Sequence, residues 1–309
     1  MPIETGFELL LRHTDPGFAR PMSAALVAAR AEVSEAVDAL RTIDDADLIR
    51  PWAWKGGGEE EIRYGFYRIG ERFELAEIEA RAALRSNLAE RGRAGDLIAP
   101  ATAARWDLHG LLAPLPTAAW DADPGGGEWT VRQTLGHIIA SQRAYGVGTA
   151  WWQERGFAAD ATDLPSGAPE TLWQTLPSEA AEADGRPSEV RARLDAVVDR
   201  STERLAGLPS GRLVLGARWS GFAVDVGFRL GRWSSHLREH TVQVEKTLVL
   251  LDHHPTEVER LVRLVLAAWG RAEAVVYGRA DVDAAVPLLV LAAADARATA
   301  AEIAGLARA

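Results

Sequence analysis

The sequence predicts an all-α protein, and three observations carry that prediction. Apolar residues recur at three- and four-residue steps over long runs, as in Phe222, Val226, Leu230, Trp233 and Leu237. No proline interrupts that run, and the recurring alanine, leucine and arginine are good helix formers. Between such runs stand glycine- and proline-rich turns, including the triplets Gly56 to Gly58 and Gly125 to Gly127.

In chain order, residues Met1 to Pro21 show no sustained period and read as a packed-down arm. Leu26, Ala29, Val33, Val37 and Leu40 then mark a helix within Met22 to Leu40. An acidic, turn-rich stretch follows, in which Trp52 and Trp54 are placed to cover one end of a bundle. Three glutamates suit the positive end of the next helix, expected from Glu59 to about Glu90. Further helices are expected at Ala101 to Leu112, Thr130 to Arg155, Ser188 to Leu208 and Phe222 to Leu251. Pro255-Thr256-Glu257-Val258 heads another, and Asp283 to Ala307 forms an Ala-rich last one. Gly156 to Pro187 is a connection longer than the usual ~12–15 residues, the kind that is commonly functional, and Trp173 reads as its anchor.

Composition narrows the function classes. At 309 residues, nearly half of them hydrophobic, the chain exceeds one typical domain of ~100–150 residues. Because it has no cysteine, disulfides, thiolate metal sites and a cysteine nucleophile are excluded, so any metal must be held by histidine or carboxylate. A formal net charge of -10 argues against a sequence-independent nucleic-acid partner. With no signal peptide and no bilayer-length apolar run, the expectation is a cytoplasmic protein without a membrane partner.

His236 and His240 stand four residues apart, so one helical turn sets both imidazoles on the same face. That is the spacing of two metal ligands on one helix. A third histidine, His137, lies two turns into the run that begins at Trp129-Thr130-Val131 after the glycine triplet. Together, a Trp-Thr-Val-Arg-Gln-Thr-Leu-Gly-His helix, a long connection and a later His-x-x-x-His helix resemble the DinB superfamily, which includes mycothiol-dependent maleylpyruvate isomerases. The resemblance covers about Ala101 to Leu251. It implies an up-down-down-up four-helix bundle with a divalent ion held by His137, His236 and His240. In the isomerases one ligand can be a glutamate; here all three are histidine.

Three neutral imidazoles leave a zinc-like ion one open position, whereas a structural site is usually closed by four protein ligands. Zinc is the expected ion, and nickel or iron also suits imidazole. Gln133, Ser141, Tyr145, Arg229, Arg232 and Trp233 lie near the histidine faces and are candidate substrate-binding residues, the arginines for an acidic group. Trp129 and Trp219, each just before a helix, are expected to pack the bundle end. His13, His109, His253 and His254 lack a matching motif and are expected at the surface or in packing. The resemblance implies a transferase or isomerase that activates mycothiol or bacillithiol toward an electrophile. The alternative is a metal-binding stress or regulatory protein without turnover.

The chain also suggests an internal repeat. Setting Gly56 to Gly58 over Gly125 to Gly127 places Arg68 opposite His137, which gives a copy that has lost its ligand. The expected organisation is residues 1–97 as the first half of a metal-free bundle, residues 98–252 as an inserted DinB-like unit, and residues 253–309 as the second half. Such a chain is a monomer or a homodimer.

Overall fold

The computed structural model describes residues 15–86 and 92–308. Most of the N-terminal arm, His13 included, lies outside them. The principal helices are α1 (Ala24–Leu40), α2 (Ile62–Ser86), α3 (Arg93–Leu112), α4 (Thr117–Asp121) and α5 (Val131–Arg155). After them come α6 (Glu170–Trp173), α7 (Glu179–Ala183), α8 (Pro187–Leu205), α9 (Ser210–Leu213), α10 (Val226–Leu250), α11 (Glu257–Val276) and α12 (Val286–Arg308). Two small antiparallel hairpins, β1 (Pro51–Ala53) with β2 (Glu59–Glu61) and β3 (Gly216–Trp219) with β4 (Phe222–Asp225), lead directly into α2 and α10.

Buried side chains form two clusters. In the first, α3, α5, α8 and α10 close around Leu108, Leu135, Ile138, Leu194, Leu230 and Leu237. In the second, α1, α2, α11 and α12 close around Val33, Phe66, Phe73, Trp269, Ala293 and Ile303. The chain thus leaves the second cluster after α2 and returns to it with α11. The clusters meet where α3 lies along α11. Glycine permits that approach: a Cβ on Gly270 would sit 2.7 Å from the Cβ of Trp106, and one on Gly110 2.7 Å from the Cα of Arg263.

A buried ionic network spans the same junction. Arg105, fully buried, donates to Asp199 at 2.8 Å and to Glu273 at 3.1 Å, while Arg30 donates to the same two carboxylates at 2.5 and 2.6 Å. The Tyr277 hydroxyl donates to Asp199 at 2.6 Å. His109 belongs to this network rather than to the surface, its Nε2 lying 2.8 Å from Asp195.

Several boundaries differ from expectation. Phe222 to Asp225 is a strand, because Ser220 and Gly221, both at positive φ, make the tight turn that folds it back on Gly216 to Trp219. Likewise Glu59 to Glu61 pairs with Pro51 to Ala53 instead of opening a helix. α3 begins at Arg93 and runs through the boundary expected at residue 98, with Pro100 inside it. An interior proline removes one helical hydrogen bond and crowds the carbonyl four residues before it, here that of Asp96, yet the helix runs on past Pro100. The glycine alignment also changes. Gly56 to Gly58 lie in the turn of a hairpin, whereas Gly125 to Gly127, all at positive φ, lie in the coil before α5. A hairpin leads directly into a long helix both at residues 51–86 and at residues 216–250, and counting each helix from its first residue pairs Arg68 with Arg232.

Candidate metal centre

Each histidine is placed by a capped helix. Thr130 caps α5: its hydroxyl accepts from the Gln133 N–H at 3.1 Å, and the Gln133 side chain accepts from the Thr130 N–H at 2.9 Å. Asp225 caps α10 by accepting from the Phe228 N–H at 2.6 Å. Where the two helices pack, the ring of His137 lies 5.4 Å from that of His236 and 4.7 Å from that of His240. The two α10 rings are 4.3 Å apart. One nitrogen from each of the three lies within 4.8 Å of the other two, and among the described residues no other histidine or carboxylate joins the group.

The long connection supplies a partner that sequence reasoning missed. Glu179, at the start of α7, accepts from the Nδ1 of His137 at 2.8 Å. α7 is held against α5 by Arg132, which donates to the Ala183 carbonyl at 2.9 Å, and by Arg143, which donates to the buried Glu182 at 2.6 Å. Gly136 lets it come so close, because a Cβ there would stand 2.4 Å from the Glu179 carbonyl oxygen. The Nδ1 of His240 is similarly tied to the Gln243 side-chain oxygen at 2.6 Å. An acceptor on Nδ1 keeps the proton there and turns the lone pair of Nε2 outward, the usual arrangement of a metal-ligating imidazole.

Residues 101–244, which hold all three histidines, match the family model of the DinB superfamily. The DinB superfamily match is to this central unit, a little under half of the chain. No curated protein and no solved structure gives a significant match.

The DinB domain's donor set suits a divalent ion. One ring nitrogen of His236, Nδ1, is buried with no hydrogen-bond partner. Burial, together with repulsion from His240 and His137, pushes the pKa of His236 down to about 3. Burial also lowers that of His240. Both rings are therefore neutral near pH 7, the form that ligates. Bonds of ~2.0–2.1 Å in tetrahedral geometry separate ligand nitrogens by ~3.4 Å, so the widest pair has to close by on the order of 1 Å through side-chain rotation.

The other predicted residues divide. Ser141 is at the centre, its hydroxyl 3.5 Å from the Nε2 of His137. The Tyr145 ring packs 5.0 Å from His236 and 4.5 Å from Trp219. Arg229 and Arg232 both lie over Trp219, at 5.3 and 5.6 Å. Arg232 is already paired with Glu239 through two contacts of 2.5 Å. Arg229 is buried, donates to the Arg218 carbonyl at 2.6 Å, and has no carboxylate partner among the described residues. Burial pushes its pKa down to about 10.

Gln133 is exposed with its side-chain oxygen engaged in the helix cap, and Trp233 is 1% exposed within the core. Trp129 and Trp219 change role. Trp129 packs 5.0 Å from His137, and Trp219 joins Tyr145 to the two arginines, so both belong to the site rather than only to the bundle end. Trp173 is an anchor: it lies on the Gly148 surface of α5, as does the Arg229 guanidinium.

Proposed function

We propose that the protein is a zinc-dependent transferase that joins a low-molecular-weight thiol, mycothiol or bacillithiol, to a small electrophile. The observation that carries this reading is the three-histidine group with two Nδ1 atoms tied back and no fourth protein ligand among the described residues. His137, His236 and His240 hold the ion and leave one corner for a substrate atom. When bound, the ion supplies Lewis acidity, which lowers the pKa of a thiol so that its sulfur reacts as thiolate.

The remaining groups bind and orient. Burial raises the pKa of Tyr145 to about 12, so its hydroxyl stays protonated and serves as a hydrogen-bond donor to substrate. Arg229, a cation in a dry wall without a carboxylate, attracts an acidic group on the thiol or the electrophile. Trp129, Tyr145 and Trp219 limit water beside the histidines. This reading places the protein in the cytoplasm as a monomer or homodimer with small-molecule partners, in keeping with its net charge of -10. No helix among the described residues is long and apolar enough to cross a membrane.

The test incubates the zinc-loaded protein with mycothiol, bacillithiol, glutathione or cysteine and with monochlorobimane as electrophile. Zinc-dependent conjugation with one of the first two thiols is expected. Zinc binding without conjugation of any thiol overturns the transferase reading and leaves the metal-binding protein without turnover.

A further inference from the structure

The second cluster holds a cleft at the place where the first holds its histidines. The two hairpin-helix units align without a gap along the helix: Ile62, Phe66, Ile69, Phe73 and Ala80 of α2 are buried as Val226, Leu230, Trp233, Leu237 and Val244 of α10 are. In that register Arg72 stands for His236 and Ala76 for His240. Trp54, which follows β1 as Trp219 ends β3, stacks on Arg68 at 5.1 Å much as Trp219 stacks on Arg232. The partner helices align as well. Leu289, Ala292, Ala293, Ala296 and Ala300 of α12 are buried as Val131, Thr134, Leu135, Ile138 and Gln142 of α5 are, which sets Asp295 opposite His137. Arg72 indeed faces Asp295, with 3.8 Å between Nε and a carboxylate oxygen. A guanidinium in a ligand's place has no lone pair for a metal.

The cleft is an open cavity of about 490 Å³, a size suited to a small molecule. On its polar side Arg72 and Lys55 share one carboxylate, Asp295, in long ion pairs, and Glu71 also lines it. Arg72 lies 3.8 Å from Asp295 and 4.0 Å from Glu79, and Lys55 lies 3.6 Å from Asp295, so none of these pairs is a hydrogen bond. By contrast Arg68 is committed, at 2.6 Å from Glu71 and 3.3 Å from Glu60. Lys55 is a non-glycine residue in the left-handed region, at φ 48 and ψ 35, and this conformation sets its ammonium 5.3 Å from the Trp54 ring. About one turn along the same two helices, the exposed Leu75 and Leu291 give the cleft an apolar part.

We propose that this cleft between α2 and α12 is a second ligand site, which binds a small organic carboxylate with its anionic end on Arg72 and Lys55 and its apolar tail on Leu75 and Leu291. A carboxylate offers the two acceptor oxygens that a guanidinium fork takes up, and the apolar part distinguishes it from inorganic anions. The site is independent of the metal centre and of the transferase reading.

Calorimetric titration of the full chain with 3-phenylpropionate, 3-phenylpropan-1-ol and 3-phenylpropylamine tests the proposal, since the three probes differ only at the polar end. The carboxylate is expected to bind at least tenfold more tightly than the alcohol, and the amine not at all. Arg72→Gln should bring the carboxylate down to the alcohol's affinity. Leu291→Asp, at an exposed position, should weaken it at least tenfold. His236→Ala should leave it unchanged. The proposal is overturned if the carboxylate shows no binding or no advantage over the alcohol, if Arg72→Gln has no effect, or if His236→Ala abolishes the binding.

Discussion

Replacing Glu179 with alanine tests whether the long connection is part of the metal centre. The carboxylate accepts from the Nδ1 of His137 at 2.8 Å and fixes both the ring's orientation and its tautomer. Loss of such a partner typically lowers metal affinity ~10–100-fold, about 1.4–2.7 kcal/mol. The Glu179 side chain is 54% exposed, so water can replace part of its role and the effect should lie at the lower end, near ~10-fold. Competition against a chromophoric zinc chelator measures the ratio directly. Glu179→Gln keeps an acceptor oxygen and should fall between wild type and alanine. If Glu179→Ala holds zinc as tightly as wild type, the contact does not orient a ligand and the argument for the connection's role fails.

Three further outcomes follow from the same geometry. Arg229 is buried with no carboxylate partner, so Arg229→Met should leave the melting temperature unchanged or raise it, while increasing KM for an acidic electrophile at least tenfold and sparing a neutral one; a clear drop in melting temperature would contradict this. His236 has a folded pKa of about 3 against 6.5 for the free group, so the unfolded chain takes up the proton first. Stability of the metal-free protein should therefore fall as pH drops below about 6.5, by up to ~1.4 kcal/mol per pH unit from this group, and His236→Gln should flatten the slope in denaturant titrations. At the junction of the two clusters, Glu273→Ala leaves Arg105 and Arg30 buried beside one carboxylate fewer, and chemical denaturation should show a loss of ~3–5 kcal/mol.

The helices and the histidine triad were legible because both depend on short-range spacing. A period near 3.6 sets Leu230, Trp233 and Leu237 inward, and the four-residue step from His236 to His240 follows the same geometry. The β3–β4 hairpin was obscured because Phe222 falls in step with the apolar residues of α10; the turn signal at Ser220-Gly221 could have revealed it. Glu179 was beyond reach of pattern reading, being 42 residues from its histidine and in a short helix within a connection. Nor does local sequence tell a paired arginine from an unpaired one. Arg229 and Arg232 look alike until the fold sets Glu239 beside only one of them. Glycine triplets likewise report turns, not which turn: Gly56 to Gly58 lie in a hairpin and Gly125 to Gly127 in the coil before α5.

The central claim is that one ion is shared by His137, His236 and His240. Elemental analysis of the purified full chain, beside His236→Ala prepared in the same way, tests it most directly. About one divalent metal per chain is expected in the wild type and close to none in the variant. A wild-type chain that takes up no zinc, nickel or iron, or a variant that retains the full amount, would contradict the account.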